Sequence, residues 1–180
     1  MSDPQAPQTR RLFFALWPSE ELRNRIETEA SAPIKRSGGR AIPARNLHVT
    51  LLFLGEVPAP RVEAVITGAA ELKGRSFEIV FDQIEAWPGS NVLCMTSAHP
   101  PAALDELSER LRYQLAAREF EFRRQVFRLH VTLARDLPRM RMTERTAPLH
   151  WPVVDFVLVE SNMTKTGSQY SVFARWPLAS

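Results

Sequence analysis

Short apolar runs are separated along the chain by segments in which apolar residues recur every three to four positions. The runs predict strands, and the recurring positions predict helices. Runs rich in Phe, Val and Leu that end at Pro, Gly or polar residues are typical of strands. In one of them Phe77, Ile79 and Phe81 alternate with polar residues and share a face. The run at 46–56 leads into a turn at Gly55. The predicted strands cover 11–17, 46–56, 76–87, 91–97, 127–137, 153–161 and 169–178.

Apolar positions at helical spacing predict three helices. The first begins after Ser19, a suitable N-cap, and carries Leu22, Ile26 and Ala30 on one face. The others cover 58–69 and 100–116, while 31–43 and 138–152 are predicted as loops because prolines interrupt them. Hairpins therefore stand beside helices in mixed order, which indicates an α+β fold with antiparallel sheets and not a doubly wound parallel sheet.

Composition places the chain among ordinary globular proteins. The chain has 180 residues, of which 44% are hydrophobic and 24% charged, so we expect one folded unit over 1–180, with 1–9 as a flexible tail. Two small lobes that share an interface would fit the same length. No apolar run approaches the roughly 20 residues that span a bilayer, and the N-terminal residues lack the apolar stretch of a signal peptide. We therefore expect a cytoplasmic protein, without a membrane partner, that acts as a monomer.

Charge and cysteine content narrow the chemistry only slightly. The net charge of +3 is compatible with a nucleic-acid partner, but many proteins with this surplus bind none. The single cysteine, Cys94, excludes a disulfide within the chain and a site built from several cysteines. Because its neighbours are apolar, we interpret Cys94 as a small buried hydrophobic residue and not as a nucleophile.

The pentapeptide Leu-His-Val-Thr-Leu occurs twice, at 47–51 and at 129–133. For ordinary residue frequencies such a coincidence is on the order of one in a hundred. Side chains alternate along a strand, so each copy places a histidine and a threonine on one face: His48 with Thr50, and His130 with Thr132. A single histidine on an apolar strand is most often a core residue, but packing gives no reason for the same pair in both halves.

Two imidazoles and two hydroxyls suit displacement at phosphorus. One histidine can take a proton from the nucleophile and the other can donate one to the leaving oxygen, while the threonine hydroxyls bind the non-bridging oxygens. Metal binding is the competing interpretation, yet each motif offers one ligand with no neighbouring Asp, Glu or second His. We therefore expect no metal and no cofactor. His99 and His150 lack the motif and are predicted to lie on the surface or in loops.

Arg135 follows His130 by five residues, at the end of the predicted strand. Its guanidinium could neutralise a phosphate, or it could pair with Asp136 or another surface carboxylate, and the spacing alone leaves both open. Further arginines surround the second motif, where they could follow an RNA backbone or simply lie in a solvated loop. These are Arg123, Arg124, Arg128, Arg139, Arg141 and Arg145.

The sequence resembles the bacterial RNA 2′,3′-cyclic phosphodiesterases, also called 2′-5′ RNA ligase-like proteins, of the two-histidine phosphoesterase superfamily. The landmarks occur in the family's order: RLFFAL, NLHVTLLFLGEV, LHVTLARD and a closing ESN…G..Y….RWPL. The resemblance covers nearly the whole chain. One departure is Leu129, where family members often have proline, and an extended strand residue can replace it.

The resemblance implies a bilobal α+β fold with two antiparallel sheets related by a pseudo-twofold, helices packed outside, and a metal-free cleft between the sheets. It implies that His48 is the general acid for the departing 3′ oxygen and His130 the general base for water. Thr50, Thr132 and Arg135 would bind the phosphate. The implied substrate is RNA with a 2′,3′-cyclic phosphate end, or a cyclic nucleotide, opened to a 2′-phosphomonoester, with reversible 2′-5′ ligation as a minor activity.

Two alternatives remain compatible with the motifs. The chain could be a non-catalytic module that binds RNA ends, or a phosphodiesterase for another small cyclic or 2′-5′ linked nucleotide, since the histidines contact only the phosphate. Aromatic residues that could stack on a base are Phe13, Phe14 and Trp87, although each is an equally good core residue.

Overall fold

Strands and helices follow one another largely as the hydrophobic periodicity predicts. The computed structural model describes residues 9–122, 127–164 and 167–180. Its helices are α1 (Glu20–Ser37), α2 (Val62–Ala70) and α3 (Ala102–Ala116), with short 3-10 helices at Ala44–Asn46 and Ala59–Arg61. Its strands are β1 (Thr9–Leu16), β2 (Arg40–Ala41), β3 (Val49–Pro58), β4 (Phe77–Trp87), β5 (Val92–Thr96), β6 (Val131–Arg135), β7 (Met142–Val153), β8 (Asp155–Thr164) and β9 (Gly167–Pro177).

The strands form two antiparallel sheets, which confirms the predicted α+β class. Sheet A has the order β3-β1-β8-β9, and sheet B has the order β2-β6-β5-β4-β7. Each sheet contains one of the two repeated motifs, because β3 carries the first and β6 the second. Strands that are distant in sequence also pair within a sheet, as β1 and β8 do.

The helices cover one face of each sheet. Helices α2 and α3 pack against each other and against strands of sheet A, while α1 contacts β5, β6 and β7 of sheet B. The leucine stripe predicted for α3 is buried as expected: Leu104, Leu107, Leu111 and Leu115 belong to the main hydrophobic core. Burial of such a stripe stabilises a helix more than intrinsic propensity does. The faces of the sheets opposite the helices are left for the site.

The predicted end of α1 is wrong. The segment 31–43 was expected to be a loop because of Pro33, yet α1 continues to Ser37 and ends at Gly38, whose φ is 66°. A proline inside a helix removes one backbone hydrogen bond. Here Pro33 and Ser37 extend the buried stripe of the helix, and that packing offsets the loss.

The segment 138–152 was also wrongly predicted as a loop, since most of it belongs to β7. This strand lies at the edge of sheet B. A proline is tolerated there when the position of its absent N–H faces away from the neighbouring strand, because no ladder hydrogen bond is then lost. Leu149, Trp151 and Val153 alternate as buried residues and pair with Phe81, Ile79 and Phe77. His150 lies on this strand and is exposed. Its predicted position on the surface is therefore confirmed, whereas its predicted position in a loop is wrong.

Two boundaries differ from the predictions. Gly55 does not end a strand: it lies within β3 at a register shift of its pairing with β1, and its φ of 71° suits a bulge that glycine accommodates without strain. Thr9 begins β1, so it is not part of a tail, and 1–8 lie outside the described residues. None of the helices within the described residues has the length and apolar content of a membrane-spanning helix.

Candidate active site

The face of sheet A that lies opposite its helices carries a small cluster of aromatic and aliphatic side chains around His48. Phe13, Ala15, Val157 and Val159 form its buried part, and Trp17 and Tyr170 pack against them. The imidazole of His48 lies 5.0 Å from the Phe13 ring, 5.8 Å from the Trp17 ring and 5.3 Å from the Tyr170 ring, centroid to centroid. Three aromatic rings therefore restrict where this imidazole can point.

Hydrogen bonds fix the tautomer of His48. Its Nδ1 lies 2.7 Å from the backbone oxygen of Asn46, and its Nε2 lies 3.0 Å from the hydroxyl of Thr50. A carbonyl oxygen only accepts, so Nδ1 carries the proton in neutral His48, and Nε2 accepts from the Thr50 hydroxyl. The histidine–threonine pair that strand alternation predicts is thus confirmed by a direct contact.

His130 repeats this arrangement on sheet B. Its Nδ1 lies 2.7 Å from the backbone oxygen of Arg128, again two residues earlier in the chain. Both imidazoles therefore donate from Nδ1 and leave Nε2 unprotonated. His130 also contacts the indole of Trp87, with the ring centroids 4.9 Å apart. The two motifs share the contact of Nδ1 with a backbone oxygen, whereas among the described residues only His48 also contacts its motif threonine.

A β-bulge follows the threonine in both motifs. On sheet A, Ala15 pairs with Thr50 and Phe14 with Leu52, so Leu51 is the extra residue. On sheet B, Cys94 pairs with Thr132 and Leu93 with Ala134, so the extra residue is Leu133. An extra residue reverses the alternation beyond it.

The bulge at Leu133 returns Arg135 to the face that carries His130 and Thr132. Strict alternation from His130 would have placed Arg135 on the helix-covered face, three residues after Thr132. Asp136, the carboxylate that could have paired with Arg135, instead binds Arg40 at 2.8 Å. Within the described ranges the Arg135 side chain forms no hydrogen bond or ion pair, although its backbone pairs with β2. Its guanidinium is therefore available to a bound anion, as the phosphate-binding hypothesis requires.

The charges of the two histidines and Arg135 affect one another. Burial lowers the pKa of His48 to about 4, with the positive charges of His130 and Arg135 acting in the same direction and the bond to the Asn46 carbonyl acting against them. Burial likewise lowers the pKa of His130, with Arg128 and Arg135 acting in the same direction. This interaction between groups on different sheets supports the prediction that both motifs serve one site. Without a bound anion, both imidazoles are neutral near pH 7.

This depressed pKa predicts a pH-dependent loss of stability that His48→Gln should reduce. The folded protein binds fewer protons than the unfolded chain between the ordinary value of 6.5 and the folded value of about 4, so stability falls as the pH falls through that window. From pH 7.5 to 5, the wild type should lose about 1–2 kcal/mol more unfolding free energy than His48→Gln. Urea unfolding at both pH values measures this, and equal losses would contradict the shift.

Cys94 lies beneath the second motif. It is fully buried, its thiol interacts with the Thr132 hydroxyl, and burial raises its pKa to about 12. A thiol with this pKa stays protonated at neutral pH, so the interpretation as a buried, unreactive residue fits. The interaction of this thiol with Thr132 is a contact that the sequence could not indicate.

The structure separates the three aromatic candidates. Phe13 and Trp87 contact the two histidines, whereas Phe14 is fully buried on the helix side against Phe156 and Trp176 and cannot reach a ligand. The sequence reasoning missed Trp17 and Tyr170. Alternation from Phe13 through Ala15 would have found Trp17, but Tyr170 is brought in by the pairing of β8 with β9, for which the local sequence gives no signal.

No three side chains of His, Cys, Asp or Glu stand together as metal ligands would in the ranges that the structure describes. The nearest polar neighbour of His48 Nε2 is a hydroxyl, and hydroxyls are poor ligands for the usual catalytic metals. That the protein needs no metal stays a prediction.

Comparison with known proteins agrees with this geometry. A sequence model of the 2′-5′ RNA ligase superfamily matches residues 18–165, a range that contains both motifs. The chain belongs to the 2′-5′ RNA ligase superfamily. Within it, the chain is 32% identical over 180 residues to an RNA 2′,3′-cyclic phosphodiesterase of Escherichia coli strain K12, with 99% of each sequence covered.

Further relatives extend the similarity. An RNA 2′,3′-cyclic phosphodiesterase of Thermus thermophilus is 28% identical, over 93% of this chain and 90% of its own length. The crystal structure of E. coli LigT complexed with 3′-AMP superposes with a TM-score of 0.88 and 29% identity, covering 96% of this chain and all of that one. The predicted two-histidine phosphoesterase fold is thereby confirmed.

Proposed function

We propose that the protein hydrolyses 2′,3′-cyclic phosphodiesters, at RNA ends or on nucleotides, to 2′-phosphomonoesters without a metal. One observation carries the proposal: the two motif imidazoles have the same tautomer, because each donates from Nδ1 to a backbone oxygen two residues earlier and leaves Nε2 unprotonated. The relatives named RNA 2′,3′-cyclic phosphodiesterase supply the substrate class.

In the proposed reaction, His130 removes a proton from water as the water oxygen attacks phosphorus. The bond from phosphorus to the 3′ oxygen breaks, and His48 donates a proton to that oxygen from Nε2. Thr50, Thr132 and Arg135 bind the non-bridging oxygens as negative charge develops on them. A 5′ hydroxyl that attacks in place of water would form a 2′-5′ linkage, which accounts for reversible ligation as a minor activity.

The low pKa of His48 is compatible with its role as acid. In the free protein His48 is neutral near pH 7, so it must gain a proton when substrate binds. The phosphodiester brings a negative charge close to Nε2, and that charge favours the imidazolium. Arg135 neutralises part of the same charge, so the phosphate must bridge both groups for the acid to form. RNA ends or cyclic nucleotides are the proposed partners, and we keep a cytoplasmic monomer as a prediction.

A product assay in excess chelator tests the proposal. The purified protein is incubated with 2′,3′-cyclic nucleotides, RNA with a 2′,3′-cyclic end, and 2′-5′ linked oligomers, each with and without EDTA. We expect 2′-phosphomonoesters from the cyclic substrates at a rate that EDTA leaves unchanged, because acid–base catalysis by histidines needs no metal. A 3′-phosphomonoester, or loss of turnover in EDTA, would contradict the mechanism.

The same panel separates the alternatives. Tight binding of RNA ends without product would indicate a binding module. Cleavage of only the 2′-5′ linked oligomers would indicate a phosphodiesterase with another substrate. The His130→Ala variant, run in parallel, shows whether any turnover comes from a contaminating nuclease, since that turnover would persist in the variant.

A further inference from the structure

The carbonyls that orient the two histidines belong to residues whose side chains are anchored in different ways. On sheet A the buried Asn46 donates from Nδ2 to the backbone oxygen of Ser168 at 2.9 Å. On sheet B the guanidinium of Arg128 donates to Glu85 Oε2 at 2.7 Å and lies 3.9 Å from the centroid of the Trp87 ring. The first anchor is neutral and buried, whereas the second is ionic and partly exposed.

Glu85, Trp87 and Arg128 form a closed cluster beside His130. The indole Nε1 of Trp87 donates to the same Glu85 oxygen at 2.8 Å, so one carboxylate holds both the ring and the guanidinium. Glu85 pairs in register with Cys94, which pairs with Thr132, so the carboxylate lies on the face of sheet B that carries the motif. The Glu85 side chain is only 18% exposed, against 60% for Arg128.

Arg128 needs a side-chain anchor because its backbone has none in the sheet. The ladder of β6 begins at Val131, three residues later. The carbonyl that accepts from His130 Nδ1 therefore lies on a segment without strand pairing. Fixing the long Arg128 side chain at both the carboxylate and the indole restricts the rotation of the backbone that carries this carbonyl.

We propose that Glu85 is a positioning residue that, through Arg128 and Trp87, holds the Arg128 carbonyl and the His130 ring so that Nε2 faces the phosphate unprotonated. Glu85 does not touch the substrate in this proposal. The inference rests on the proposed role of His130 as the base, and it adds the group that keeps this base in its working tautomer and orientation.

The charges around His130 give the proposal a measurable signature. Arg128 and Arg135 lower the pKa of His130, and His130 in turn lowers that of His48. Glu85 on β4 forms the ion pair with Arg128, and the Cys94 thiol lies on the same face of the sheet. Arg128 and Arg135 disfavour the imidazolium, and the Glu85 carboxylate partly offsets Arg128. Removing that negative charge should therefore lower the pKa of His130 further.

Two substitutions of Glu85 separate position from charge. Glu85→Ala removes both the acceptor and the charge, so kcat should fall about 10-fold while KM changes less than about 2-fold, since misplacing a catalytic group costs rate. Glu85→Gln keeps an acceptor oxygen and should retain kcat within about 3-fold. In an Arg128→Ala background, Glu85→Ala should have a smaller further effect, because only its contact with Trp87 is then left to lose.

Nuclear magnetic resonance of 15N-labelled histidine measures the tautomer and the pKa of His130 directly, and it does not depend on turnover. In Glu85→Gln we expect an unchanged tautomer and a lower pKa; in Glu85→Ala we expect partial loss of the Nδ1–H tautomer. The matched control is Arg36→Ala, which removes an arginine–glutamate pair with Glu144 from the helix side of the same sheet. It should change neither readout.

The outcomes distinguish this proposal from the activity on which it rests. If the wild type fails to open cyclic phosphates, the proposed function is wrong, and the resonances of His130 still decide whether Glu85 positions the ring. Unchanged His130 resonances in both Glu85 variants would overturn the positioning role. An effect on KM alone would also overturn it, since that result means that the cluster binds substrate. Trp87→Phe, which keeps a ring under Arg128 but loses the N–H donor, should reproduce a milder form of Glu85→Ala.

Discussion

Replacing either motif histidine with alanine should lower kcat on a 2′,3′-cyclic nucleotide by about 10²–10⁴-fold. His130→Ala removes the proposed base and His48→Ala the proposed acid, and water at the vacated position cannot reproduce a proton transfer from a fixed Nε2. The double variant should be little worse than the more damaging single variant, because residues that act in one step are not additive. Steady-state kinetics of the three variants measures this.

A substrate with a better leaving group should separate the two roles. A nitrophenyl phosphodiester departs as a stable anion and needs little protonation, so His48→Ala should lose much less activity on it than on the cyclic nucleotide. His130→Ala should remain impaired on both. The control is His99→Ala, which changes an exposed histidine outside the motifs and should keep wild-type kcat. Full activity in either motif variant would contradict acid–base catalysis, and equal losses on both substrates would contradict the assignment of the acid.

The sequence could predict the motif geometry because it depends on local rules. Alternation along a strand places His48 beside Thr50 wherever that strand lies, and the contact between them follows. Repetition of the motif then predicts two similar half-sites, and the matching carbonyl contacts at 2.7 Å agree with it. The stripe of α3 was equally local, since its leucines recur at helical spacing.

Features that depend on tertiary pairing could not be predicted in this way. Pro33 predicts the end of a helix by local rules. In the structure the burial of the α1 stripe outweighs the one hydrogen bond that this proline removes. The prolines of β7 predict a loop by local rules. They are compatible with a strand only because β7 lies at the edge of its sheet, which the local sequence does not show. The contact of Tyr170 with His48 requires the order of strands in sheet A, which no local pattern encodes.

The bulge at Leu133 is the tertiary feature with the largest consequence for function. Spacing alone left the partner of Arg135 open, and simple alternation would have directed its side chain away from His130. Pairing with β5 inserts one residue into the ladder and reverses that direction. The residue at the same position after the first motif is Phe53, which is 60% exposed on sheet A. The two half-sites therefore differ at this position, and only the second supplies a cation.

Arg135→Ala should accordingly reduce kcat/KM by about 10²–10³-fold, the cost of removing one preorganised donor to a developing oxyanion. Arg135→Lys restores the charge but not the planar pair of donors, so its loss should be smaller, about 10-fold. Both variants should bind inorganic phosphate more weakly, which calorimetry can measure. Arg25→Ala, which removes an exposed guanidinium from α1, controls for the change in net charge and should keep wild-type kcat/KM.

The comparison of Arg135 with Arg25 decides between the two interpretations that spacing left open. If Arg135 were a surface cation, its loss would resemble that of Arg25, and either effect would vanish at high salt because exposed charges are screened. If it binds the phosphate between the two histidines, the loss should persist at high salt, since a contact shielded by substrate is screened little. The pKa of His48 should also rise in Arg135→Ala, because one of the positive charges that depress it is gone. That shift together with a salt-resistant loss of activity requires Arg135 to face the same phosphate as His48.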